Sequence, residues 1–216
     1  MAKVNEKVHL VNIGIATGLL ALTFAIPAVQ WLATKLIARP EFVGVISSTA
    51  VIVCTGFWLT KTKAFHFRIL SLQWTMFYYL ALIVILGLLI FNVQNQPVSQ
   101  ITGKARTPFE VLDLIVLLPI AEELIFRGAI WSAIQKLLKV EITPILVLTG
   151  TSLLFGIEHL GYWAQSNWPL PPGAYLHAFS MAFAGLFFGY FRLKSDSLAV
   201  PAVLHMLANG AILLTQ

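Results

Sequence analysis

Long apolar runs separated by short polar breaks occupy almost the whole chain. A helix needs about 20 predominantly apolar residues to cross the hydrocarbon core of a bilayer. Runs of this kind fall at 8–37, 42–60, 69–92, 109–137, 142–162, 174–191 and 197–214. The pattern predicts an all-α fold, a polytopic membrane helix bundle with about seven transmembrane helices, and eight are possible.

Composition excludes an ordinary soluble protein. Of the 216 residues, 58% are hydrophobic and 11% are charged, whereas about 25% of residues are charged in a soluble domain. The net charge of +5 does not indicate a nucleic-acid partner, because the Lys and Arg residues other than Arg127 are scattered at the ends of apolar runs instead of forming a stripe, as anchors at lipid headgroups are. Cys54 is the single cysteine, so a disulfide or a multi-cysteine metal site is excluded.

Basic residues also indicate an orientation in the bilayer. If the runs alternate across the membrane, nine Lys and Arg residues share the side of the N-terminus and four share the other side. Because short cytoplasmic loops carry an excess of basic residues, we expect the N-terminus in the cytoplasm and the C-terminus outside.

Three charged side chains interrupt the fourth apolar run, in the hexapeptide Glu122-Glu123-Leu124-Ile125-Phe126-Arg127. A charge at mid-bilayer costs roughly 2.5–3.5 kcal/mol on insertion scales, so these residues need partners. Glu123 and Arg127 are four residues apart with the acid first, the favourable order for an ion pair along a helix. Glu122 lies about 100° round the helix and is left free for another role. Pro119, just before, predicts a kink.

Two further clusters place polar residues one helical turn apart. Phe155 precedes His159, and His205 precedes Asn209, by four residues, so each pair shares one face of its helix. If the fourth and fifth runs form an antiparallel hairpin turning at 140–141, Glu122 and His159 are equally distant from the turn. We therefore expect these two side chains to lie at one depth in the membrane.

This set of residues has the chemistry of peptide hydrolysis. A buried carboxylate and an imidazole together can hold and activate a water molecule. His205 and Asn209 supply N–H donors that could bind the negative oxygen developing on an attacked carbonyl. Water, base and oxyanion stabilisation are thus available without a covalent nucleophile.

The motifs Glu-Glu-x-x-x-Arg, Phe-x-x-x-His and His-x-x-x-Asn, in this order within apolar runs, resemble the CPBP family of intramembrane glutamic endopeptidases. This family comprises type II CAAX prenyl endopeptidases and bacterial Abi-like proteins, some of them linked to bacteriocin processing or self-immunity. The resemblance covers 108–214. It implies a multi-pass protein of the bacterial inner membrane that cleaves a membrane-associated peptide or protein and needs no metal or cofactor.

The resemblance also implies roles for individual residues. Glu122 and His159 correspond to the water-activating pair, and His205 and Asn209 correspond to the oxyanion site. The remaining motif residues, to which we assign assisting or structural roles, are Glu123, Arg127 and Phe155. The predicted organisation is one integral domain, in which 1–107 are N-terminal membrane helices without motifs and 108–216 form a catalytic four-helix membrane core.

Alternative functions remain open at this point. Intramembrane Glu and His residues also build proton or ion relays in transporters, although the chain lacks an inverted repeat. A zinc-dependent protease is possible because His159, His205 and a glutamate make an acceptable ligand set, although a His-Glu-x-x-His run is missing. A catalytically silent scaffold is the third alternative.

Other residues are interpreted as structural. Glu158 is expected to point away from His159, and Asp113 is expected to be solvated or at a helix end. Histidines outside the motifs are interpreted as hydrogen-bonded structural residues: His9, His66 and His177. Tryptophans near a predicted loop are interpreted as interfacial anchors: Trp163 and Trp168. Glycines in the fifth and sixth runs are expected to let helices approach closely: Gly150, Gly156, Gly185 and Gly189.

Overall fold

The computed structural model describes residues 41–61, 107–137, 144–164 and 169–214, and all regular secondary structure within these ranges is helical. We number the helices α1 (Glu41–Lys61), α2 (108–137), α3 (Pro144–Ala164), α4 (Pro172–Ser195) and α5 (Ala199–Leu214). They coincide with five of the predicted apolar runs to within a few residues. The runs at 8–37 and 69–92 and the predicted turn at 140–141 lie outside the described residues.

Several helices have the length and apolar character that a bilayer requires. Three of those in the described ranges could cross a membrane by these criteria, at Phe42–Lys61, Pro144–Gly161 and Pro172–Ser195, and Ala199–Leu213 is a shorter apolar helix. The all-α prediction is confirmed for the described residues. The count of seven transmembrane helices stays a prediction.

Helix α2 is continuous but changes its hydrogen-bond pattern along its length. Its five parts are α-helical Pro108–Leu112, π-helical Asp113–Leu117, α-helical Leu118–Glu123, π-helical Leu124–Ile130 and α-helical Trp131–Leu137. It begins with a capping box: the Thr107 hydroxyl accepts a bond from the Glu110 N–H at 3.2 Å, and the Thr107 N–H donates to the Glu110 carboxylate at 2.8 Å. π-Helical turns are rare overall but occur often at functional sites. Arg127 lies inside the second one, Glu123 directly precedes it, and Glu122 is in the α-helical segment before it.

Helices α3 and α4 pack closely in an antiparallel arrangement, through small residues. The facing sets are Leu148 with Gly189, Ser152 with Gly185, and Gly156 with Ala178 and Ala182. A Cβ atom at Gly156 would lie 2.5 Å from the carbonyl oxygen of Ala178, which is closer than non-bonded atoms approach. The predicted close approach is therefore confirmed at these three glycines. At Gly150 it is wrong within the described part of the chain, because no described atom lies within 4 Å of an added Cβ.

The short connection between α4 and α5 reverses the chain without glycine. Asp196 adopts the left-handed conformation, with φ of 48°, and its carboxylate accepts a hydrogen bond from Arg192 Nη1 at 3.0 Å. Aspartate tolerates this conformation better than most residues because its short polar side chain can bond locally. The turn brings Phe188 and Phe191 of α4 against Leu204 of α5 in a buried cluster, so α5 folds back along α4.

Helix α1 covers the outer side of α2. Val51 of α1 joins Ile125 and Phe126 of α2 and Phe155 of α3 in one buried cluster. At the start of α2, Asp113 is buried against Gly44 of α1, where an added Cβ would contact the Asp113 carboxylate. The prediction of a solvated Asp113 is wrong, because α1 packs over that end of α2. The predicted organisation of 1–107 and 108–216 stays a prediction.

The contrast between two glycines of α3 gives a test of the α3–α4 packing. Overpacking a tight contact costs about 1–3 kcal/mol, more than the roughly 1 kcal/mol that alanine gains over glycine in a helix. We expect Gly156→Ala to lower the melting temperature of the detergent-solubilised protein. The matched control, Gly150→Ala, should leave the melting temperature unchanged or raise it. Equal melting temperatures for the two variants would contradict the packing described here.

Candidate active site

A fully buried guanidinium lies at the centre of the bundle. Arg127 of α2 is 0% exposed. Its Nη1 donates to Glu123 Oε1 at 2.9 Å, and its Nη2 donates to the backbone carbonyl of Gly185 in α4 at 2.8 Å. The predicted i, i+4 ion pair is confirmed, and the second bond attaches the same side chain to a helix 58 residues further along the chain.

Aromatic rings surround this guanidinium. The Arg127 Cζ lies 4.7 Å from the ring centroid of Phe155, 5.6 Å from that of Phe188 and 6.0 Å from that of Phe126. Cations are attracted to the negative face of an aromatic ring, most strongly where water is excluded. The three phenylalanines come from α2, α3 and α4, so the cation is enclosed by three helices.

The imidazole of His205 connects α5 to both glutamates. Its Nδ1 lies 3.0 Å from Glu123 Oε1, and its Nε2 lies 3.5 Å from Glu122 Oε2. Glu123 Oε1 thus has both Arg127 and His205 within hydrogen-bond distance, whereas the contact to Glu122 is longer. Stacking against Phe188, with ring centroids 4.7 Å apart and planes at 20°, holds the imidazole in this orientation.

His159 is held by its own helix and by the ring of Phe155. Its Nδ1 lies 2.8 Å from the carbonyl oxygen of Phe155. Because a carbonyl can only accept, Nδ1 carries the proton, and in the neutral ring Nε2 is the acceptor. The Phe155 ring packs edge-on against His159 at 4.7 Å and against His205 at 5.8 Å between centroids, so one aromatic ring contacts both imidazoles.

Asn209 closes the other end of the site, on the first π-helical segment of α2. Its Nδ2 donates to the carbonyl oxygen of Leu114 at 2.9 Å. That carbonyl has no partner from the helix pattern itself: the Leu118 N–H donates to Asp113, and the next residue, Pro119, has no N–H. Pro119 and the motif asparagine are therefore linked through one backbone oxygen.

The structure brings most of the predicted residues into one cluster. Glu122, Glu123, Arg127 and His205 are joined by direct polar contacts, and Phe155 lies against Arg127 and both motif histidines. The pairing of Glu122 with His159 stays a prediction, and the imidazole that we find against Glu122 is His205. Asn209 is one turn after His205 on α5, with its amide on Leu114.

Two groups near this cluster lie outside the three sequence motifs. The Gly185 carbonyl binds Arg127 as a backbone group, which no side-chain motif reports. Glu158, expected to point away from His159, is 3% exposed and lies near enough to interact electrostatically with Glu122 and Arg127. Within the described ranges, no group of three or more His, Cys, Asp or Glu side chains is arranged to hold a metal ion.

Adjacent buried glutamates, a buried arginine and an imidazole from a distant helix form one cluster of ionisable side chains. The family model of Type II CAAX prenyl endopeptidase Rce1-like matches residues 104–211, half of the chain, and this range contains every residue of the site. The chain belongs to this family of proteases, which confirms the predicted CPBP resemblance. Family and apolar helices together identify an integral membrane protein. No curated protein and no solved structure matches the chain.

The double use of Glu123 predicts that its loss acts mainly on stability. Removing one partner of a buried ion pair typically costs about 3–5 kcal/mol, because the other charge is left uncompensated. We expect Glu123→Gln to lower the melting temperature strongly, and the double variant Glu123→Gln/Arg127→Gln to recover part of the loss. Adding Arg127→Gln to Glu122→Gln should bring no such recovery. A Glu123→Gln variant as stable as the parent would contradict this assignment.

Proposed function

We propose that this protein is an intramembrane endopeptidase that hydrolyses a peptide bond in a membrane-associated peptide or protein, using a water molecule activated by Glu122 and His159. The observation that carries the proposal is a difference between the contacts of two neighbouring glutamates. Glu123 Oε1 is engaged by Arg127 and His205 at 2.9 and 3.0 Å, whereas the contact of Glu122 to His205 is 3.5 Å. Because the close ion pair with Arg127 is on Glu123, we assign the role of base to Glu122.

The proposed reaction has two steps. In the first, the water oxygen bonds to the carbonyl carbon, its proton passes to Glu122, and the carbonyl π electrons move to the oxygen to give an oxyanion. In the second, the oxyanion re-forms the carbonyl, the C–N bond breaks with its electron pair on nitrogen, and Glu122 returns the proton to that nitrogen. The acceptor Nε2 of His159 assists by hydrogen-bonding the water.

The oxyanion would be stabilised by donors from α5. For His205 to donate from Nε2 while its Nδ1 donates to Glu123, the ring must be an imidazolium. The Asn209 amide has two N–H groups. One donates to the Leu114 carbonyl oxygen, and the other would donate to the oxyanion.

The family match supports a CAAX-type intramembrane protease, and the finer assignment of substrate is part of this proposal. Candidates are C-terminal processing of a CAAX-type protein and processing related to bacteriocins or self-immunity, in a bacterial cell membrane. A comparison of protein termini between cells with the parent and cells with Glu122→Gln tests this directly. New chain ends that depend on Glu122 identify the substrate. Cleavage within a C-terminal CAAX-type sequence indicates the first class, and cleavage at another position indicates the second.

The glutamate base gives the first activity prediction. Glu122→Gln keeps the side-chain volume but removes the base, so we expect it to abolish cleavage while the melting temperature stays near that of the parent. The assay is cleavage of a quenched peptide spanning the position found from the terminus comparison. Cleavage by Glu122→Gln, together with a folded but inactive Glu123→Gln, would reverse our assignment of base and ion-pair partner.

Metal independence is the second activity prediction, and it separates the glutamate mechanism from the zinc-dependent alternative. We expect cleavage to continue at an unchanged rate after prolonged treatment with EDTA or 1,10-phenanthroline. Asn209→Ala should lose about 10²–10³ in turnover, as oxyanion-hole substitutions do. Loss of activity on chelation with recovery by zinc alone, or stoichiometric metal that is lost with His205→Ala, would refute the glutamate mechanism.

A further inference from the structure

The helices of the described ranges form a bundle with two distinct ends. Helix α1 runs parallel to α2 and α5 runs antiparallel to it, as the neighbouring positions show: Gly44 with Asp113, Leu59 and Leu198 with Gly128, and Asn209 with Leu114. Helix α4 is antiparallel to α5 and α3 is antiparallel to α4. One end of the bundle therefore contains the starts of α1, α2 and α4 and the ends of α3 and α5. We call it the acidic end, because Glu41 and Glu110 lie in the first turns of α1 and α2, and we call the opposite end the basic end.

Packing is tight between the site and the basic end and looser towards the acidic end. In α2 every residue at 121–133 is buried, whereas only two of those at 108–120 are. In α5 all but one of the residues at 199–205 are buried, and none of the eight that follow is. The change falls at the motif glutamates in α2 and directly after His205 in α5. Among the described helices, the site is therefore closed towards the basic end and more accessible from the acidic end.

The looser part of the seam between α2 and α5 contains polar groups. Asn209 is partly exposed there, five residues before the end of α5, and Asp113 of α2 is next to Leu114, whose carbonyl oxygen binds the Asn209 amide. His159 is also partly exposed, five residues before the end of α3, which is about 8 Å along the helix. Carboxylate and other polar side chains are costly against lipid tails, so this seam is suited to water.

The α3–α4 side of the acidic end is closed. Trp163 of α3 and His177 of α4 are 3% and 7% exposed, and the Trp163 indole donates from Nε1 to His177 Nδ1 at 3.2 Å. The prediction that Trp163 is an interfacial anchor is wrong, because its ring is buried and its N–H is bonded inside the bundle. His177 has the predicted hydrogen bond, and its ring lies 5.5 Å from that of His159. These contacts place the opening between α2 and α5.

Basic residues differ in number between the two ends. All described Lys and Arg residues except the buried Arg127 lie at the basic end: Lys61, Lys136, Arg192 and Lys194. Two more adjoin this end in the sequence, Lys63 and Lys139, and three adjoin the acidic end: Arg39, Lys104 and Arg106. The count of six against three indicates that the basic end is cytoplasmic. This agrees with the orientation expected from the whole sequence.

We propose that the site opens at the acidic end, that this end faces the outside of the cell membrane, and that the substrate is a peptide segment outside the cytoplasm. The choice of substrate rests on the proposed function, whereas the opening and its side do not. A scissile bond must reach Glu122 together with water, and the packed residues of α2 and α5 block an approach from the basic end. The chemical class is therefore an exported peptide or an outer segment of a membrane protein.

Cysteine labelling tests the side without measuring cleavage. In a Cys54→Ala background, Pro172→Cys and Lys194→Cys place one thiol at an exposed position near each end of α4, about 33 Å apart. The probe is a permanently charged trimethylammonium methanethiosulfonate, which does not cross the membrane. We expect it to label Pro172→Cys in spheroplasts only and Lys194→Cys in inverted membrane vesicles only. The reverse result would overturn the assignment of the outer face.

A second pair of cysteines, both in α5, tests the opening. Gly210 lies in the looser part, where an added Cβ would be 3.9 Å from Ile115, an ordinary contact. Ala202, 9% exposed, lies in the packed part and is the matched control. We expect the same probe to label Gly210→Cys in spheroplasts and Ala202→Cys in neither preparation. Labelling of Gly210→Cys from the cytoplasmic side, or from neither side, would refute the proposed opening.

The substrate class is tested with a reporter that carries the cleavage position found from the terminus comparison. This segment is placed on the outer or on the cytoplasmic side of a single-span membrane protein, in cells with the parent and in cells with Glu122→Gln. We expect cleavage that depends on Glu122 for the outer reporter and its loss for the cytoplasmic one. Cleavage of the cytoplasmic reporter would overturn the substrate class. If neither reporter shows cleavage that depends on Glu122, the proposed function fails, and the labelling still decides the opening and its side.

Discussion

The buried guanidinium of Arg127 is the constraint on which the rest of the site depends. An uncompensated charge in this position would cost several kcal/mol, so the helices must supply partners at fixed positions. Glu123 provides the countercharge from the same helix, and the Gly185 carbonyl provides an acceptor from α4. Glycine favours this approach, because a Cβ would lie 3.2 Å from Arg127 Nη2, closer than most contacts of a Cβ atom. The small residues that let α3 and α4 approach also leave the space that this side chain occupies.

The second constraint is the interrupted hydrogen-bond pattern of α2. A π-helical segment followed by Pro119 leaves the Leu114 carbonyl without an intrahelical donor, and a lone carbonyl in an apolar interior is costly. Asn209 supplies that donor from α5, one turn after His205. The same helix thus compensates an irregularity of α2 and delivers an imidazole to its glutamates. The same contacts between α5 and α2 therefore stabilise both the fold and the site.

The sequence predicts the features of this arrangement that depend on local residue spacing. The Glu123–Arg127 pair follows from a separation of four residues in a helix, and the apolar runs predict the described helices because a bilayer requires segments of sufficient length and apolar character. Contacts through backbone atoms of distant helices have no such signature, and the carbonyls of Gly185 and Leu114 are of this kind. The predicted exposure of Trp163 and Asp113 rests on their positions near the ends of apolar runs. Packing by α4 and α1 instead buries both side chains.

Two adjacent glutamates in one helix can have different tasks because adjacent residues point about 100° apart. Glu123 Oε1 points to Arg127 and His205, so the negative charge of this residue has a close countercharge in Arg127. Glu122 shares the location, the dehydrated surroundings and the neighbouring imidazole, but not the ion pair. A base must gain and lose a proton during each turnover, and a strong ion pair would oppose the gain. In the proposed mechanism, charge compensation by Glu123 and proton transfer by Glu122 are therefore separate tasks.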